Sequence, residues 1–410
     1  MKRELPQDPM LRQLIQMSRN RTFTRRAALT GIGGSAAALA LASCTTGEAE
    51  DRSDTEKVLT WHNWDLYMDE TDDGEYGTLS RFESESGIDV EYMIEIDDND
   101  TWFAKYRDQL ALGQDIGADI ACPTGWMASR MLALGYLQKY NNENLPNKVA
   151  NISPGYLNAP DDPNAEYRIP WQGGFAGIGY NKAAYREATG KDAPSSVADL
   201  WAAELKGRVG LLSEMRDTMG VILMSQGIDI TNPDSLTQGA FDEAIALVAA
   251  QISSGQIFNV KGNSYKEDMI NGNSIAAIVW SGDIFQMNYE MAETTGDPEF
   301  FGFAFPDTGV TIWADYFVTP KGATHKKNAE QLINFYYDPA NAAELAVWNN
   351  YISPVVGAQE AMAELDPDLA ESELIFPSSE TLAQAKAFRA LTSEEDQLFS
   401  NAWQNLLLGA

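Results

Sequence analysis

From Lys57 onward, short apolar runs alternate with stretches whose apolar residues recur every three or four positions, a pattern that predicts strand and helix in turn. "KVLTWHNW" reads as a strand, "GTLSRFESESG" as a helix closed by a glycine, "DVEYMIEI" as a strand, "DTWFAKYRDQLALG" as a helix, "ADIACPT" as a strand and "WMASRMLALGYL" as a helix. This is an α/β order. The stretch 166–181, "EYRIPWQGGFAGIGYN", breaks the rhythm with a proline and four glycines in a β-rich run, as a segment crossing between two lobes would. A second alternating set follows: "VADLWAAELKG" as helix, "RVGLLS" as strand, "RDTMGVILMSQG" as helix, two further helices within 241–270, and "SIAAIVW" as strand. After a strand at 311–318 come the helices "KNAEQLINFYYD" and "PANAAELAVWNN", then a helical tail from about Thr381.

The chain ahead of Lys57 has a different character. "RTFTRRAALTGIGGSAAALALASC" joins the pair Arg25 and Arg26 to an uncharged run of small and apolar residues ending at Cys44, which predicts an export signal over 1–43. The twin arginines resemble the twin-arginine route, and "LASC" resembles a lipobox whose Cys44 is lipidated after cleavage. Residues 44–56 then read as a flexible polar tether from the lipidated cysteine. Cys44 and Cys122 are the only cysteines, so no disulfide is expected.

Charge narrows the function classes. The chain has a formal charge of -31, and losing residues 1–43 removes seven bases and two acids, moving it to about -36. Such a surface argues against nucleic acid as a partner and favours cations. With His62 and His325 the only histidines, no zinc motif forms, and no metal or cofactor is expected. No nucleophile elbow or Walker loop appears, and the glycines of "GGFAGIGYN" run in the reverse of the dinucleotide spacing. Nothing singles out a catalytic pair, so the protein is read as no enzyme.

Positive chemistry gathers where strands end, the place an open α/β sheet binds ligands. Trp64, Asp65 and Tyr67 are expected in the loop after a strand ending at Asn63. Ser213 is a plausible N-cap, with Glu214 and Asp217 in the first turn behind it, where acids also complement a helix dipole. Trp280 sits at a strand end before a glycine turn. In "TIWADYFV" the residues Thr311, Trp313, Asp315 and Phe317 share one face, which sets a carboxylate among apolar neighbours. A buried charge there costs several kcal/mol unless a cation meets it. An aliphatic ammonium satisfies all these features, because carboxylates neutralise its ends while aromatic faces cover its methylenes, at about 0.5–2 kcal/mol per cation–π contact. A sugar is the competing ligand.

Taken in order, "NWDLY", "ESGIDVEY", "WFAKY", "ADIACPT", "YRIPWQGGFAGIGYN", "DLWAAELKGRVGLLSEMRD", "IVWSGD", "IWADYF", "LINFYYDPANAAELA" and "NNYISP" resemble the substrate-binding proteins of spermidine and putrescine uptake ABC transporters, from about Lys57 to Thr381. The resemblance implies an α/β fold of two lobes, a type II periplasmic-binding-protein trap with β-crossover hinges. It places lobe 1 at 57–171 plus 315–359 and lobe 2 at 172–314 plus 360–410. It implies ligand-facing aromatics at Trp64, Tyr67, Trp126, Trp280, Trp313 and Tyr351, acids at Glu214, Asp217 and Asp315, and a hydrogen-bonding hydroxyl at Thr124. Asp65 adds a carboxylate where the spermidine binder has threonine, and Phe388 or Arg389 stands where the family has a glutamine. The implied partners are a polyamine, the permease subunits and, through Cys44, the membrane. The protein is expected to be exported, monomeric and lipid-anchored. The same fold holding a sugar or another organic cation is the alternative, and a secreted lipoprotein hydrolase is the third.

Overall fold

The computed structural model describes residues 48–409 except 72, 73, 158 and 160, so the expected signal, its arginine pair and Cys44 lie outside the described residues. The strands form one ten-stranded sheet: β1 (Val58–Trp64), β2 (Asp89–Ile96), β3 (Ile120–Ala121), β4 (Arg168–Asn181), β5 (Val209–Leu212), β6 (Ile257–Lys261), β7 (Ala276–Trp280), β8 (Phe301–Ala304), β9 (Val310–Val318) and β10 (Ala385–Lys386). The order is β2-β1-β3-β9-β4-β7-β5-β6, with β8 on β4 and β10 on β9. β1 runs parallel to β2 and β3, and β5 parallel to β6 and β7, each joined by helical crossovers. Those two parallel sets are the halves that the alternating sequence predicts.

Two antiparallel strands connect the halves. β4, buried along its 14 residues, pairs with β9 from Arg168↔Val318 to Ala176↔Thr311, then with β7 from Ala176↔Trp280 to Tyr180↔Ala276. The register shifts between Pro170 and Gly173, where proline removes a ladder donor. This bulge sits opposite Asp315, so the bend in the crossover falls at the carboxylate. On one side Trp61 packs edge-on to Tyr92 and Trp171, at 5.2 and 5.4 Å between ring centroids, and is fully buried. On the other side Phe241 stacks on Phe399 of the C-terminal helix at 4.0 Å. Each such ring pair adds about 0.5–1.5 kcal/mol beyond its buried area.

Several elements depart from the sequence expectations. β1 runs through Trp64 rather than ending at Asn63, with a register shift between the two. Two 3₁₀ turns, Val197–Trp201 and Ala203–Leu205, replace the helix expected from "VADLWAAELKG". Ala202 takes an extended ψ of 138° between them, too close to both ends for an α-helix to nucleate. β6 occupies part of the stretch read as helical; it is an edge strand whose five residues are all half-buried or exposed, so it lacks an apolar alternation. The helical tail divides into Ser379–Ala383 and Ser393–Leu408 because β10 pairs with β9 in between, and the Thr392–Glu395 capping box restarts the helix.

The described end of the expected tether does not stand free. Ala49 N–H donates to the Lys321 carbonyl at 2.9 Å, and Arg52 N–H to that of Thr324 at 2.7 Å. Ser53 is fully buried and accepts from Asn328 N–H at 3.1 Å. Glu56 meets His325 at 3.0 Å, whose other ring nitrogen meets Asp119 at 3.0 Å. A polar sequence reads as a linker, yet here its polar groups find fixed partners on the helix Lys326–Tyr336 and the turn before it.

Candidate functional site

The ends of β1 and β7, the middle of β9 and the first turns of two helices converge on one cavity of about 330 Å³, counting its open mouth. Trp64, at the end of β1, is fixed by its indole N–H to the Cys122 carbonyl at 2.8 Å. The next turn forces Leu66 to φ +56°, a strained value for a residue with a side chain, and Gln286 Nε2 holds its carbonyl at 2.8 Å. That turn aims Tyr67 inward, where its hydroxyl donates to Asp315 Oδ2 at 2.7 Å. Asp65 is exposed at the mouth, its carbonyl accepting from Asn263 Nδ2 at 3.1 Å.

Asp315 is 2 % exposed, and its other oxygen, Oδ1, has no hydrogen-bond partner. Burial pushes its carboxyl up to about 7. On the same strand face Trp313 also lines the cavity, with its indole N–H unpartnered. Phe317, two residues further, instead packs on Trp171 in the core at 4.4 Å between centroids. Asp217, in the first turn of the helix Met215–Ser225, accepts from Trp280 Nε1 at 2.8 Å, and burial raises its carboxyl to about 6.

Tyr351 closes the far wall. Asn350, left-handed at φ +58°, caps the helix Pro339–Asn349 and turns the chain so that the next ring enters the cavity. Its ring meets Tyr67 at 5.2 Å and Trp313 at 5.5 Å, while Trp280 meets Trp64 at 5.9 Å and Trp313 at 6.3 Å. The result is a continuous aromatic wall of edge-on pairs. Gly282 makes room for it: a Cβ there would lie 2.6–2.7 Å from the Tyr351 ring.

Nine expected site residues therefore meet at the cavity: Trp64, Asp65, Tyr67, Thr124, Asp217, Trp280, Trp313, Asp315 and Tyr351. Trp126 and Glu214 lie outside its lining. Trp126 lies against two guanidinium groups, Arg216 at 3.9 Å and Arg130 at 4.8 Å from its ring centroid, and both arginines pair with Asp396 of the C-terminal helix. Glu214 is buried and bonded to Asn99. Ser213 does not cap the helix; Glu214 occupies that position and the Ser213 hydroxyl donates to Asp98 at 2.8 Å. Arg389 is paired with Glu395 at 2.6 Å, also away from the cavity.

Two lining residues escape the sequence reading. Asp283, 2 % exposed, accepts from Tyr351 at 2.7 Å and Tyr265 at 2.8 Å, with Lys266 Nζ 3.7 Å away. Asn263 accepts from Lys266 at 2.7 Å. The signal for Asp283 is its place in the first turn after the strand-end Trp280. Among the described residues no cluster of histidine, cysteine, aspartate and glutamate could hold a metal, and no helix is long and apolar enough to cross a membrane. A cavity with carboxylates at several points of an aromatic wall can take a slender molecule bearing positive charge.

Residues 78–376 match the family described as bacterial extracellular solute-binding protein. Among curated relatives, the spermidine/putrescine-binding periplasmic protein of Escherichia coli is 29% identical over 349 residues, covering 84% of this chain and 90% of its own. The putrescine-binding periplasmic protein SpuD of Pseudomonas aeruginosa is 27% identical over 388 residues, covering 91% and 97%. Among solved structures, the spermidine/putrescine ABC transporter substrate-binding protein PotD from Streptococcus pneumoniae superposes with a TM-score of 0.65 at 24% identity, covering 86% of this chain and 99% of that one. The TpPotD lipoprotein of Treponema pallidum superposes with 0.66 at 22%, covering 86% and 99%. These likenesses give the two-lobe fold of substrate-binding proteins.

Proposed function

The chain belongs to the bacterial extracellular solute-binding proteins, and from that premise we propose that it captures a polyamine of the spermidine and putrescine class and delivers it to an ABC permease. The observation that supports this most is the set of three buried carboxylates, Asp217, Asp283 and Asp315, on one wall of aromatic rings. A neutral sugar would leave Asp217 and Asp315 buried without a cation, at several kcal/mol for each that is charged, whereas Asp283 already has Lys266 Nζ 3.7 Å away. An ammonium group donates to Asp315 Oδ1, and the faces of Trp64, Trp280 and Trp313 cover the methylenes between charges.

The lobes divide at 57–171 plus 315–359 and 172–314 plus 360–410, so that β4 and β9 cross between them and closure dehydrates the ligand. No bond is made or broken in the ligand, and the closed form is what the permease recognises. Cys44 is the lipid attachment, after export by the twin-arginine route, and the protein works as a monomer at the outer face of the membrane.

Thermal shift with spermidine, putrescine, spermine and a panel of sugars tests the reading. A polyamine at one hundred times its dissociation constant adds about 2.7 kcal/mol of stability. A shift with a sugar and none with any polyamine refutes it.

A further inference from the structure

Glu214, expected at the ligand, instead joins the two halves of the molecule. It follows β5 and caps the helix Met215–Ser225, whereas Asn99 follows β2 and opens the helix Asn99–Ala111. β2 lies at one end of the strand order and β5 next to the other end, so no strand pairing brings these helices together. Even so, Glu214 Oε1 accepts from the backbone N–H of Asn99 and from its side-chain Nδ2, each at 2.7 Å. That backbone amide is one that a helix leaves unpaired in its first turn, at the positive end of its dipole.

The contact is wired to the cavity. The second hydrogen of Asn99 Nδ2 goes to Thr124 Oγ1 at 2.8 Å, and Asn99 Oδ1 accepts from Thr124 N–H at 2.9 Å. Thr124 lines the cavity and forms a backbone bridge with Asp315. We propose that Glu214 is a positioning residue that latches the closed cleft, clamping one half onto the helix of the other and coupling closure to the ligand through Asn99 and Thr124. Its reach matters and its charge at the ligand does not. A glutamine keeps a carbonyl that accepts the same two bonds, whereas an aspartate keeps the charge and falls short of the amide.

The test uses the full chain with Cys44→Ser, and spin labels on cysteines introduced as Asp108→Cys and Ser253→Cys, both exposed and in opposite halves. Inter-label distances report closure, and calorimetry reports spermidine affinity. Glu214→Gln is expected to keep the closed distance and the affinity. Glu214→Asp and Asn99→Ala each shift the ligand-free distances outward and weaken spermidine about tenfold or more, and combining them adds little. The latch is overturned if Glu214→Asp leaves the distances unmoved, or if Glu214→Gln weakens binding while the distances stay closed, which makes Glu214 a charge partner of the ligand. Absence of spermidine binding by the parent chain refutes the polyamine reading alone, because the ligand-free distances still decide the latch.

Discussion

Asp315 shows how one carboxylate can be a burden without ligand and an asset with it. Burial lifts it to about 7 and Asp217 to about 6, both above the ordinary aspartate value. A raised acid stabilises the fold fully below its unfolded pKa, and that contribution is lost as pH climbs through the folded one. The ligand-free protein is therefore expected to lose melting temperature from about pH 4 to pH 7, and Asp315→Asn to flatten much of the loss. A steep decline that survives Asp315→Asn would assign it elsewhere. A cation replaces the proton, so polyamine affinity rises through the same window, by up to about tenfold per pH unit for each group released. Calorimetry in buffers of different ionisation enthalpy measures that proton release, and heats independent of buffer would contradict it. Asp315 was legible because its strand neighbours are apolar and alternate. Asp283 was not, since an acid in a first turn is ordinary helix chemistry until Tyr265 and Tyr351 are seen to converge on it. Glu214 and Trp126 illustrate the converse: sequence gives their type and spacing, but the partners that claim them, Asn99 and Arg216, come from distant elements.

At the scale of elements, the turn from β7 into the helix Ser281–Thr295 sets the shape of the aromatic wall. Gly282→Ala gains at most about 1 kcal/mol of helix propensity yet presses a methyl against the Tyr351 ring, so overpacking of about 1–3 kcal/mol outweighs the gain. Polyamine affinity is expected to fall about tenfold while the far-ultraviolet spectrum stays native. Unchanged affinity, measured by calorimetry, would mean that Tyr351 does not touch the ligand. The strands and helices with strong periodicity, such as β4 and Lys326–Tyr336, were readable because burial enforces their pattern. β6 and β10 were not, because edge strands are held by backbone pairing that leaves little mark on side-chain order. The polar stretch 48–56 looks like a linker for a related reason: composition records solvation but not the hydrogen bonds that Ser53 and Glu56 make.

For the molecule as a whole, a formal charge of -31 makes self-repulsion a standing cost and attracts dications before any contact. Raising sodium chloride from about 0.05 to 1 M shortens the screening length from over 10 Å to about 3 Å. The melting temperature of the ligand-free protein is expected to rise over that range, while polyamine association slows; stopped-flow mixing and calorimetric scans measure the two. An association rate insensitive to salt would confine the attraction to the cavity itself. The aromatic wall has an optical consequence. Trp64, Trp280 and Trp313 are three of the chain's ten tryptophans, and they stand at the cavity while Trp61, Trp102 and Trp403 are sealed in the core. Emission from the first group responds to an arriving cation against a constant background from the second. The protein thus contains its own gauge of occupancy, readable without a label.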